Sequence, residues 1–128
     1  MRKFTESRVR SFGHAFQGWW YVLRTQRNAW LHVIIALVVF ALSLWLRLDA
    51  FQWSVVLLTT AMVFAAEFFN TAIEALVDLS SPQEHPQAKI AKDVAAAAVL
   101  ITAMGAVIIG ILVLGPPFLE RADALMAR

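Results

Sequence analysis

From Val94 to Leu114 the chain runs for twenty-one residues without a charged side chain. As a helix this stretch measures about 31 Å, the thickness of a bilayer's hydrocarbon core. Lipid offers no water to the backbone, so a lone segment of this kind closes its own hydrogen bonds as an α-helix. Ala29 to Leu46 reads the same way, with an uncharged Val-Ile-Ile-Ala-Leu-Val-Val-Phe-Ala-Leu centre and a helical length of about 27 Å. Only Arg47 to Ala50 separates it from a further apolar run starting at Phe51, so that run returns antiparallel. With 60% hydrophobic and 16% charged residues, the chain lies well outside the globular norm of about half and a quarter. The expectation is an all-α membrane protein of one domain, residues 1–128, with spans at 29–48, 51–79 and 86–115. Gly115-Pro116-Pro117 reads as the stop of the third helix.

Charge placement sets the orientation. Six of the eleven basic residues (Arg2, Lys3, Arg8, Arg10, Arg24, Arg27) precede the first span, against one acid, Glu6. The positive-inside rule puts this arm and the loop from Ser80 to Lys92 in the cytoplasm, and Arg47, Arg121 and Arg128 outside. Within segment 1–28, Phe12, Phe16, Trp19, Trp20 and Leu23 recur at helical spacing, which predicts an amphipathic helix lying in the interface. A Trp-rich basic arm joined to a span suits anionic headgroups, so no nucleic-acid partner is expected. No small-residue cleavage pattern follows the first apolar run, so no cleaved signal peptide is expected either. Gly13 and Gly18 weaken the arm as a helix by about 1 kcal/mol each and point to close packing or bending there.

The second span carries the chemistry. Glu67, Asn70, Glu74 and Asp78 fall within about 80° of one helix face. Such a stripe, amid Phe68, Phe69, Ala72, Ile73, Leu76 and Leu79, must face protein, water or a ligand. Glu67 lies about 24 Å along the helix from Phe51, within the cytoplasmic edge of the core, while Glu74 and Asp78 emerge beyond it. Ionisable residues at such depth are costly and point to function. The bland alternative is that the acids solvate the helix end or pair with Lys89 and Lys92; for Asp78 that is as good a reading as function. The loop Ser80-Ser81-Pro82-Gln83-Glu84-His85-Pro86 supplies turn and capping chemistry, after which Lys92 and Asp93 can approach the stripe. There is no cysteine and no glycine-rich phosphate cradle, so a metal must bind oxygen or imidazole. Carboxylates with a lysine suit a divalent ion on a nucleotide, yet spacing alone does not separate a kinase from a proton-coupled carrier. A silent scaffold, with Ala95 to Ala98, Gly105 and Gly110 serving close helix packing, is a third reading.

The run Ala66-Glu67-Phe68-Phe69-Asn70-Thr71-Ala72-Ile73-Glu74-Ala75-Leu76-Val77-Asp78, followed by His85-Pro86-Gln87-Ala88-Lys89-Ile90-Ala91-Lys92-Asp93-Val94-Ala95-Ala96, resembles the signature of the prokaryotic diacylglycerol kinase and undecaprenol kinase family. The likeness extends to Arg10-Ser11-Phe12, Gly18, Arg24-Thr25-Gln26-Arg27-Asn28 and His32. It implies an integral membrane lipid kinase of the bacterial inner membrane, a homotrimer whose sites lie near the cytoplasmic surface between subunits. On this resemblance Glu67 matches the catalytic base, Asn70 a polar residue of the site, and Glu74 a ligand of Mg²⁺. Lys92 and Asp93, with Gln83, Glu84 and His85 of the loop, match contacts to ATP. His14 falls where some members place a nucleotide-contacting Tyr. Gln26 stands where well-known members carry a second metal-binding Glu; the amide offers one oxygen but no charge. Asp78 is a supporting candidate. The wording around Ser81-Pro82 and His85-Pro86 is closer to the undecaprenol branch, so undecaprenol is the expected acceptor and diacylglycerol the alternative.

Overall fold

The computed structural model describes the backbone of residues 2–81, 83 and 85–127, and side chains within that range from Arg10 onward. Its elements are α1 (Arg2–Thr25), α2 (Arg27–Leu46), α3 (Ala50–Ser80) and α4 (Pro86–Met126). The last three are each long and apolar enough to cross a membrane, and no strand occurs among the described residues. The all-helical membrane architecture expected from hydropathy is therefore the one observed.

Local chemistry explains each boundary. Gln26 leaves the helical region (φ −104°, ψ 112°) and separates α1 from α2, while Trp30 Nε1 donates to the Leu23 carbonyl at 2.8 Å. That bond satisfies one of the acceptors a helix end leaves open. At the opposite end of the bundle Arg47 adopts the left-handed conformation (φ 58°), and the Arg47 and Leu48 amides return to the Leu44 and Ser43 carbonyls, each at 3.2 Å. Asp49 then caps α3 reciprocally: its carboxylate accepts from the Gln52 amide at 2.8 Å, and the Gln52 side chain accepts from the Asp49 amide at 3.0 Å. This capping box allows two spans to reverse direction in three residues. Leu46, Leu48 and Val56 are buried beneath the turn, with Phe40, Trp53, Val113 and Leu114 against them.

α3 packs chiefly on α4, where Ala95 is buried. The expected stop at Gly115-Pro116-Pro117 is not one, because α4 continues through both prolines to Met126. Two features reconcile this with proline chemistry. Gly115 has no Cβ to clash with the ring that follows it. The extension is also anchored on α2: the Phe118 and Trp45 rings lie 6.2 Å apart, and the Arg121 guanidinium sits 5.0 Å from the Trp45 centroid. These contacts offset the two helical hydrogen bonds that the missing proline N–H groups forgo.

Within one chain the glycines make no close packing. A Cβ added at Gly13, Gly18, Gly105 or Gly110 meets nothing within 4 Å, so none of these sites is a tight approach within one chain. α1 is an unbroken helix from Arg2 to Thr25. Phe12, Phe16, Trp19 and Trp20 lie exposed on it, an apolar surface suited to lipid, and Trp19 reaches Phe68 of α3 at 6.2 Å between ring centroids.

Candidate active site

Three helices bring the polar stripe together. Because Gln26 is the non-helical joint between α1 and α2, its side chain can turn across to α3, where Nε2 donates to Glu74 Oε2 at 3.0 Å. Asn70, one turn earlier on α3, donates through Nδ2 to Glu74 Oε1 at 3.0 Å. Each oxygen of Glu74 thus holds one amide donor, and the half-buried carboxylate is the hub of the cluster.

Glu67 is the contrasting case. It is 1% exposed, and neither carboxylate oxygen has a hydrogen-bond partner; the Asn70 amide oxygen is orphaned beside it. Buried polar atoms are almost always paired, so three unpaired acceptors within one turn of helix set this place apart from the rest of the bundle. His32 of α2 and Glu74 both lie within electrostatic reach of Glu67. The Thr71 hydroxyl donates to the Glu67 carbonyl at 2.9 Å, which ties this turn of α3 internally.

Toward the α3–α4 junction the stripe opens into a cleft of about 720 Å³ whose lining includes Asp78, Ser81, Gln83, His85, Lys89 and Lys92. Lys92 reaches across from α4 to pair with Asp78 at 2.5 Å. This is the pairing offered above as the bland reading of Asp78, and it holds a cation at the cleft wall. Asp93 does not join the stripe: it pairs with Lys89 along α4, an exposed i,i+4 contact of small energetic weight. His85 lines the cleft while its Nδ1 accepts from the Gln87 amide at 3.2 Å, capping α4 ahead of Pro86. His14 lies on the exposed face of α1 beside Gln17. Glu84 lies outside the described residues.

The donors around Glu74 are oxygens and amides, which suits a hard cation such as Mg²⁺. The orphaned Asn70 oxygen fits that role directly, and Gln26 presents its oxygen after a half-turn of its terminal torsion. No group of three His, Cys, Asp or Glu side chains converges among the described residues. One carboxylate with amide and substrate oxygens matches the way Mg²⁺ is held in nucleotide sites, by few protein charges and the phosphates. Sequence reasoning overlooked Thr71 and gave no role to His32; a polar residue four positions after Glu67 was the available signal for the first.

Comparison with known proteins bears on what this cluster serves. Residues 13–114 match the family described as prokaryotic diacylglycerol kinase. The chain belongs to that family. It is 40% identical over 107 residues to an undecaprenol kinase of Bacillus subtilis, covering 84% of this chain and 87% of that one. A diacylglycerol kinase of Synechocystis is 44% identical over 111 residues, which are 86% of this chain and 63% of the relative. The Escherichia coli K12 diacylglycerol kinase is 31% identical over 103 residues, covering 78% and 82%. The protein is accordingly a membrane-embedded lipid kinase, a transferase with ATP as phosphoryl donor. Membership displaces the carrier and scaffold readings.

Proposed function

We propose that this kinase phosphorylates undecaprenol to undecaprenyl phosphate, using ATP and Mg²⁺, at the cytoplasmic face of the bacterial inner membrane and as a homotrimer. The observation that carries the reading is Glu67, a buried carboxylate with both oxygens unpaired, one to two turns from the amide-bound Glu74. An acceptor left open inside a lipid-facing bundle is suited to an alcohol hydroxyl that arrives with the substrate. The 40% identical Bacillus subtilis undecaprenol kinase favours undecaprenol, and the relatives named diacylglycerol kinase keep diacylglycerol as second acceptor.

In this mechanism the hydroxyl donates its proton to Glu67 while its oxygen bonds to the γ-phosphorus. The bond from γ-phosphorus to the bridging oxygen breaks, and ADP leaves. Glu67 lies about 16 Å along α3 from Asp78, with Glu74 between them. A nucleotide in the Asp78–Lys92 cleft would therefore extend its phosphates toward Glu74. Lys92, with Gln83 and His85 of the cleft lining, would contact the nucleotide, and the family resemblance adds Glu84 and Asp93 to these contacts. Glu74, Asn70 and Gln26 would hold Mg²⁺, which when bound neutralises charge on the phosphates. Positioning and charge neutralisation are the principal sources of rate in phosphoryl transfer, and the residues named supply both.

The test is purified protein in detergent–lipid mixtures with Mg²⁺ and γ-labelled ATP, offered undecaprenol and diacylglycerol in one vessel. Label moving mainly to undecaprenol is expected; label moving mainly to diacylglycerol reverses the choice of acceptor, and label in neither lipid contradicts the proposed acceptors.

A further inference from the structure

Below Glu67 the same face of α3 continues into an apolar groove of about 390 Å³, walled by α2, α3 and α4. Val56, Thr60 and Val63 of α3 line it, and Glu67 follows them at helical spacing, so groove and carboxylate share one stripe. His32 lines the end nearest Glu67 and lies within electrostatic reach of that carboxylate. Gly110 of α4 forms part of the opposite wall, and space is open where its Cβ would be.

We infer that this groove seats the hydroxyl-proximal part of a single prenyl tail and favours acceptors long enough to fill it. The inference rests on the proposed kinase reading. Two observations commit the groove to this occupant: its continuity with the unpaired, buried Glu67, and its size. At about 30 Å³ for each heavy atom, 390 Å³ holds roughly thirteen atoms, which is two to three five-carbon units of one chain. The tail is already in an apolar solvent, so shape and packing decide the selection, not transfer from water. Along α3, Val56 to Glu67 spans about 16 Å, and a chain laid there places its terminal hydroxyl against the carboxylate.

The experiment compares wild type with Gly110→Leu, whose new side chain enters open space and fills the groove. Prenols of one, three and eleven five-carbon units are assayed for kcat/KM, and a diazirine-bearing three-unit prenol is used to photolabel both proteins. In wild type kcat/KM rises from one to three units and then levels. In Gly110→Leu the three-unit to one-unit ratio falls about tenfold, the low end of what a reshaped apolar pocket delivers, and labelling of the groove segments of α3 and α4 is lost. Equal ratios in the two proteins, with labelling retained, overturn the groove assignment while leaving the kinase reading standing. Phosphorylation of no prenol by wild type instead removes undecaprenol as acceptor; photolabelling still decides the groove independently. A change in the size of the detergent-solubilised assembly, with the ratio unchanged, assigns the groove to a second copy of this chain and also overturns the proposal.

Discussion

Gln26→Glu places a second carboxylate where Gln26 Nε2 now donates to Glu74 Oε2 at 3.0 Å. Two full charges at that separation repel by about 5 kcal/mol at an effective dielectric of about 20, and by about 1.4 kcal/mol in water. Gln26 and Glu74 are each half-buried and the new side chain can rotate away, so the expected loss is about 2 kcal/mol without metal. A divalent cation between the two carboxylates inverts the sign, because its own charge dominates the local field. Thermal unfolding in detergent, with and without Mg²⁺, reads both halves. The variant should melt several degrees below wild type in chelator and recover most of that difference in Mg²⁺, with kinase activity saturating at lower Mg²⁺. Equal melting in chelator together with an unchanged Mg²⁺ titration would refute the placement of residue 26 at the ion.

Glu67→Gln should stabilise the fold by about 1–3 kcal/mol, because a neutral amide replaces a buried carboxylate without partners; a lower melting temperature would count against the unpaired state. Lys92→Met removes the cation facing Asp78 and should raise KM for ATP about tenfold or more, the weight of a hydrogen bond to a charged group, as read from initial rates at varied ATP. Asp49→Ala breaks the capping box of α3 and should cost about 1 kcal/mol of stability with KM for ATP and lipid unchanged, since the turn lies at the far end of the bundle from Glu67.

The spans and the stripe were legible because both rest on periodicity and on the cost of charge in lipid. Glu67, Asn70 and Glu74 fall on one face by arithmetic, and the structure adds which atoms meet. What periodicity could not supply was contact between helices. Nothing local shows that Gln26 breaks a helix and crosses to Glu74, or that Asp93 turns to Lys89 instead of the stripe. Pro116 and Pro117 read as a stop on local rules, and only the docking of Phe118 and Arg121 on Trp45 explains the continued helix. The glycines of α4 show the same limit: small residues suggest close packing, and within one chain Gly110 borders open space.

The central claim is that Glu67 receives the hydroxyl proton, and single-turnover phosphoryl transfer tests it most directly. With ATP prebound and lipid alcohol in excess, Glu67→Gln should slow transfer at least about a hundredfold, the usual weight of a general base, with nucleotide affinity unchanged. A rate equal to wild type at full nucleotide occupancy would contradict the assignment.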